Sequence, residues 1–130
     1  MRTAYLTLTA ASIAFVINLL IGRLAVKLTH VPPTFPPFTT LPILSGAVGG
    51  AILASLVYAG IHAASRNPDR LFFFVTLASF ALSLGLPLRL SFTRSLRFAA
   101  VTPAAQMVLV LMHAVVAVAS FVAITARPEQ

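Results

Sequence analysis

The chain has 130 residues, of which 59% are hydrophobic and only 8% are charged, whereas a soluble domain has about 45–50% apolar and about 25% charged residues. This composition predicts an integral membrane protein, and the absence of cysteine excludes a disulfide framework, a thiolate metal site and a cysteine nucleophile. The net charge of +7 comes from Lys and Arg that lie almost entirely between apolar runs, where basic side chains contact lipid headgroups and no nucleic-acid partner is expected.

Four apolar runs follow one another along the chain, each close to the roughly 20 residues that a helix needs to cross a bilayer. None of them contains an acidic residue or a central Lys or Arg. Backbone polar groups in lipid must find partners within their own segment, so each run is predicted to be helical. The predicted helices span residues 4–27, 42–64, 71–89 and 104–126.

The first run is predicted to be a retained helix rather than a cleaved signal sequence, because GRLAVKL follows it in place of a small-residue cleavage site. Every fourth residue of its inner part is small or polar, a spacing that lets a second helix backbone approach closely. These residues are Ala10, Ala14, Asn18 and Gly22. Because a buried amide avoids lipid, this row is expected to face the interior of the bundle.

The first link, VPPTFPPFTTLP over residues 31–42, holds five prolines in twelve residues. Proline fixes φ and lacks an N–H, so the segment is predicted to be a stiff, extended strap between the first two helices. Val31, Phe35 and Phe38 are expected to rest at the membrane interface. The alternative is a docking segment for a partner that recognises proline-rich strands.

The second run repeats the spacing of small residues, with Gly46, Gly50 and Ala54 four residues apart. This pattern predicts a close helix contact, either within the chain or in an oligomer. The remaining links, residues 65–70 and 89–103, are too short for another domain. The prediction is therefore an all-α, up-down-up-down bundle of four transmembrane helices with both termini on one side.

The third link contains RLSFTRSLRFAA, in which Arg94 and Arg97 lie three residues apart among Phe and Leu side chains. Such a segment is typical of a short helix at the membrane interface. Arg94 and Arg97 are therefore predicted to bind anionic lipid headgroups.

Four polar side chains inside the predicted spans fall at similar depths. At a helix rise of about 1.5 Å per residue, Asn18 and His113 lie about 15 Å and about 14 Å from the side of the membrane that carries the strap. By the same measure, Ser83 and Ser79 lie about 10 Å and about 16 Å from that side. Polar groups in lipid are costly, so these four are predicted to meet in an intramembrane cluster, with a neutral His113 bonded to Asn18 and a serine.

His62 lies about 30 Å from the strap side, roughly 16 Å away in depth from His113. This separation excludes a haem held by both histidines of one chain. A single axial bond from His113 to a haem or a chlorophyll-type pigment remains an alternative to the structural cluster. No metal site is expected.

The order of these features resembles an uncharacterised family of small bacterial four-helix integral membrane proteins. The pieces that carry the resemblance are INLLIGRLA, FPPFTTLP, SGAVGGAILASL, RNPDRLF, LSLGLP and LMHAVVAVASFVAITAR. The resemblance implies an inner-membrane protein with both termini in the cytoplasm, an extracytoplasmic strap, and an embedded Asn and His at Asn18 and His113. It implies no activity, and the basic residues, five on the strap side against four on the other, leave the orientation open.

The sequence shows no nucleophile–base pair and no carboxylate within a predicted span, so an enzyme is not expected. The predicted function is that of a non-catalytic structural or accessory subunit, packed in the bilayer against a larger membrane complex or in a homo-oligomer. Pigment or haem binding through His113 is one alternative. An oligomeric small-solute transporter is the other, although proton coupling usually uses a membrane-embedded carboxylate.

Overall fold

The computed structural model describes residues 2–92, 98–99 and 101–126, and within these ranges it contains helices and no strand. The helices are α1 (Arg2–Leu28), α2 (Thr40–Ala64), α3 (Pro68–Ser83), α4 (Gly85–Arg89) and α5 (Pro103–Thr125). Counting α3 and α4 as one span, four helices are long and apolar enough to cross a membrane. The prediction of an all-helical chain with four long apolar helices is confirmed, and the predicted bounds lie within three residues of the observed ones.

Proline and a polar cap set where two of the helices begin. Pro68 and Pro103 occupy the first turns of α3 and α5, where a missing N–H leaves no bond unmade. The Thr102 hydroxyl accepts a hydrogen bond from the Ala105 N–H at 3.1 Å and so caps α5.

The third span is interrupted at Leu84, where the prediction had one continuous helix over residues 71–89. Pro87 lacks the N–H that would bond the carbonyl of Ser83, and Gly85 has a low helix propensity. The Gln106 side chain of α5 donates to the Pro87 carbonyl at 3.0 Å. This bond ties the short α4 to the beginning of α5.

Small side chains bring α1, α2 and α5 close together, and α1 contacts both of the other helices extensively. The alanines that meet in this contact are Ala10, Ala11, Ala14, Ala47, Ala51, Ala119 and Ala123, all of them buried. Without bulky side chains between them, helix backbones pack at short range in a membrane. By contrast, α3 packs mainly on α5 and α2 and has no extensive contact with α1 in the described part of the chain.

The segment between α1 and α2 folds onto the end of the bundle. Val31, Phe35 and Phe38 are buried in a cluster with residues of α1, α2 and α5. Pro36–Phe38 forms a 3₁₀ turn in which the Phe38 N–H donates to the Phe35 carbonyl at 3.0 Å. These three side chains were expected at the membrane interface and this segment was expected to be extended. The turn instead lets both phenyl rings pack edge to face inside the protein, where they bury most of their surface.

Candidate functional site

A cavity of about 470 Å³ lies between α2, α3 and α5, with Asn18 of α1 at its inner wall. This volume is within the range of about 300–1,000 Å³ that is usual for small-molecule sites. The apolar side chains that shape it include Leu53, Val57, Val75, Phe80, Leu109 and Val116. None of the described residues that line it is Asp, Glu, Lys or Arg.

The cavity exists because α2 offers little side-chain volume while α3 is held at a distance. On the α2 side the lining includes Gly46, Gly50 and Ala54. At the beginning of α3, Phe72 is buried and stacks on Phe121 of α5, with ring centroids 5.8 Å apart. A bulky ring at one end and small residues along the facing helix leave a gap between the helices.

A polar contact also anchors the beginning of α3 to α2. The Tyr58 hydroxyl donates to Asp69 Oδ1 at 2.6 Å, and the Tyr58 ring meets Phe72 edge to face at 5.0 Å. A hydrogen bond to a carboxylate is stronger than one between neutral groups. The α3 helix is thus fixed at its first turns, while its later turns face the cavity.

Asn18 is almost fully buried, with 3% of its surface exposed. Its Nδ2 donates to the Met112 carbonyl of α5 at 3.1 Å. Its Oδ1 is buried and has no hydrogen-bond partner among the described residues. Asn18 therefore links α1 to α5 and also brings an unpaired acceptor to the wall of the cavity.

His113 lines the same cavity from α5 and is half-buried. Its Nδ1 lies 2.7 Å from the Leu109 carbonyl oxygen, one turn earlier in the helix. A carbonyl oxygen only accepts, so Nδ1 carries a proton and donates this bond, and the neutral form of such a ring has its lone pair on Nε2. The predicted bond between His113 and Asn18 is not formed, because each side chain bonds to a backbone carbonyl of α5 instead.

Ser79 and Ser83 line the cavity from α3, opposite His113 and Asn18. The Ser83 hydroxyl donates to the Phe80 carbonyl of its own helix at 2.7 Å, and Ser79 is exposed. The four polar residues singled out in the sequence thus share one cavity. No hydrogen bond directly joins any two of them in the described part of the chain.

The α1 row of small residues lies in the helix contacts. Ala10, Ala14 and Gly22 are buried, and a Cβ built on Gly22 would lie 3.1 Å from the Ile43 side chain of α2. The close approach at Gly22 therefore depends on the missing side chain.

The α2 row is divided between two roles. A Cβ built on Gly50 would lie 2.6 Å from Cγ1 of Val116 in α5, whereas a Cβ on Gly46 meets no atom within 4 Å. Gly46, Gly50 and Ala54 all line the cavity, so Gly50 serves both the cavity and the contact with α5. The buried face of α2 is the adjacent row, which consists of Ile43, Ala47, Ala51 and Ser55.

Ser120 is a lining residue that the sequence analysis missed. Only 2% of its surface is exposed, and its Oγ has no hydrogen-bond partner among the described residues. It lies seven residues after His113, two helical turns along the same face of α5. A search of the last predicted helix for a further polar residue two helical turns after His113 would have found it.

One other predicted feature lies away from the cavity. His62 is exposed beside Tyr58 and does not line it. Arg94 and Arg97 fall outside the described residues. Within the described part of the chain, no group of three or more His, Asp or Glu residues is placed to hold a metal ion.

No protein-family model matches this chain, and comparisons with curated proteins and with solved structures gave no significant match. The resemblance to small bacterial four-helix membrane proteins therefore remains a prediction from the sequence.

Proposed function

We propose that this chain is a small integral protein of a bacterial inner membrane, and that it works without catalysis as an accessory subunit packed against a larger membrane complex. The described lining of its cavity offers no acid–base pair: it includes no carboxylate, Lys or Arg, and His113 bonds a backbone carbonyl rather than a serine or a carboxylate.

The observation that carries the accessory role is the exposed outer face of the third span. Only 11% of the apolar window of Pro68–Arg89 is buried within the protein, against 28% for α5. Its exposed small residues, Ala78, Ala81 and Gly85, follow a helical spacing of three and four. Small residues at such spacing are enriched where transmembrane helices pack together, so this face suits a partner helix in the bilayer.

An up-down-up-down topology belongs to the same proposal. It is supported by a ring contact between Phe35 of the first link and Phe98 of the third, with centroids 6.5 Å apart. The first and third links then lie at one end of the bundle, and both termini at the other. In this arrangement the proline-rich first link acts as a strap that closes its end of the bundle. The placement of the termini in the cytoplasm rests on the resemblance alone.

Purification from the native membrane in a mild detergent tests the accessory role. The wild-type chain should co-purify with a defined set of membrane proteins, and Ala81→Ile, which places a branched side chain on the outer face of α3, should lose them. Ser12→Ile is the matched control, because Ser12 is exposed on α1 away from that face. Isolation of the wild-type chain as a lone monomer would contradict the proposal.

A second candidate, a pigment or haem held by His113 as a single axial ligand, is favoured by one contact. Histidines that bind metals usually donate their other ring N–H to a carbonyl or carboxylate, as His113 Nδ1 does to Leu109. This candidate leaves the unpaired atoms of Asn18 and Ser120 without an explanation. The absorption spectrum of gently purified protein tests it: a visible band lost in His113→Phe would support it, and a spectrum without such a band would exclude it.

A further inference from the structure

The cavity wall contains polar atoms that the protein itself leaves unpaired. Asn18 Oδ1 and Ser120 Oγ are both buried without a hydrogen-bond partner among the described residues. Leaving such a group unpaired costs stability, and native proteins pair nearly all such groups. A molecule that donates a hydrogen bond inside the cavity would remove this cost.

The two unpaired oxygens lie at different distances from the helix ends. Ser120 lies five residues before the end of α5 at Thr125, about 8 Å from that end. Asn18 lies ten residues before the end of α1 at Leu28, about 15 Å from the nearest helix end. The unpaired oxygen of Asn18 is therefore the one that most needs a partner from within the bilayer.

A second acceptor lies at a similar depth on the same cavity wall. Asn18 bonds the carbonyl of Met112, and the following residue, His113, carries its lone pair on Nε2 and lines the same cavity. Two acceptors at one depth fit a group that donates a hydrogen bond, such as a hydroxyl. The described lining offers no charged side chain for an ionic headgroup, so the bound molecule should be neutral.

The cavity is elongated along the helices. Its lining runs from Phe72 to Ser83 on α3 and from Leu109 to Ser120 on α5. The last residue of each stretch lies eleven positions after the first, which corresponds to about 16 Å along a helix. Because most of the lining is apolar, this shape suits a hydrocarbon or isoprenoid chain better than a compact polar solute.

We propose that this cavity binds a neutral, hydroxyl-bearing lipid, whose hydroxyl donates to His113 Nε2 or, once the Asn18 side chain turns toward the cavity, to Asn18 Oδ1, and whose chain lies between α2, α3 and α5. The proposal goes beyond an accessory role, because it assigns a ligand class to an internal site that is independent of any partner protein.

The first test uses three probes that differ only in hydrogen bonding: 1-hexadecanol donates and accepts, 1-methoxyhexadecane only accepts, and hexadecane does neither. Each competes with a photoreactive 1-hexadecanol for cross-linking to the full chain in phosphatidylcholine nanodiscs. Cross-links should map to residues 72–83 and 109–120. The alcohol should compete about tenfold better than the ether, the ratio that about 1.4 kcal/mol of hydrogen bonding gives.

Variants then locate the hydroxyl. His113→Phe and Asn18→Leu should each reduce the advantage of the alcohol over the ether several-fold, while His62→Phe, the matched change at an exposed histidine, should leave it unchanged. Ser120→Ala should change it less than twofold.

Three results would overturn the proposal. The first is equal competition by all three probes, which would show an apolar groove without a hydroxyl site. The second is cross-linking confined to outward-facing residues such as Leu20 or Leu82. The third is a visible absorption band in the purified protein that disappears in His113→Phe, which would show that the cavity binds a pigment or haem. The comparison of probes on the wild-type chain stays informative even if Asn18→Leu does not fold.

Discussion

The two sides of this bundle are packed by opposite means. Where α1, α2 and α5 meet, two clusters of buried residues are made of alanines alone, and Ala14 and Ala47 are entirely buried. On the α3 side the buried contact is aromatic, centred on Phe72 between Tyr58 and Phe121. Small residues bring backbones together and leave no space, whereas one large ring fixes a helix at a single level and leaves a cavity beyond it.

We therefore place the proposed function on the α3 side. That side combines the cavity, its polar lining and an exposed outer face, whereas α1, α2 and α5 meet largely through small buried residues. Lipid tails are as apolar as the helix surfaces, so burying apolar surface between helices yields no hydrophobic free energy in a bilayer. Close packing and a few hydrogen bonds therefore decide which helices stay together. Changing either type of contact should therefore have distinct and measurable effects.

Loss of the ring that holds α3 should have the largest effect. Phe72→Ala removes a side chain that is 1% exposed, and such changes typically cost about 3–5 kcal/mol. Unfolding by SDS titration in detergent micelles should show this loss. Phe74→Ala, at a position 53% exposed on the same helix, should change stability by less than about 0.5 kcal/mol. Equal losses in the two variants would show that Phe72 does not anchor α3.

Overpacking the small-residue contact should rank second. Ala14→Leu adds three carbons at a position with no exposed surface, and insertions of this kind cost about 1–3 kcal/mol. Ala78→Leu makes the same change at an exposed position of α3 and should be nearly neutral in the same titration. If Ala14→Leu were tolerated equally well, the α1 contact would be far looser than its geometry indicates.

The sequence was sufficient for the helices and for the depth of the polar residues. Composition and run length gave four apolar helices, because lipid permits little other structure. Counting residues from the links placed Asn18 and His113 at similar depths, and Asn18 bonds the carbonyl of Met112, the residue next to His113.

The sequence pattern does not predict how each helix is rotated about its own axis or how the first link folds. On α2, the row of Gly46 and Gly50 lies beside a second small row of Ala47 and Ala51, and composition does not decide which one faces α1. The structure buries Ala47 and Ala51. Similarly, the proline content predicts a stiff first link but does not predict whether its side chains pack inward. The inward packing of Phe35 depends on the space at the end of the bundle.

The hydroxyl of Tyr58 should account for a smaller part of the α3 anchor. Tyr58→Phe keeps the ring contact with Phe72 and removes the bond to Asp69, at a cost of about 1.5 kcal/mol, as for hydrogen bonds to charged groups. Tyr5→Phe, at a position 70% exposed, is the control and should leave the SDS midpoint unchanged. Amide hydrogen exchange should become faster in the first turns of α3 and stay the same in α1. Faster exchange in both helices would argue against a local anchor.

The smallest expected effect separates the two glycines of α2. In Gly50→Ala the new methyl group would lie 2.6 Å from Val116 Cγ1, so Val116 or the helices must move, whereas in Gly46→Ala it meets nothing within 4 Å. Valine has few rotamers in a helix, so its movement is restricted. Alanine favours helix over glycine by about 1 kcal/mol, which should make Gly46→Ala slightly stabilising and leave Gly50→Ala at least about 1 kcal/mol less stable than Gly46→Ala. In a double-variant cycle, Val116→Ala should restore the stability lost in Gly50→Ala, because it removes the Cγ1 atom that the new methyl group would contact. If Val116→Ala did not restore stability, the close contact of α2 with α5 would not explain the cost of Gly50→Ala.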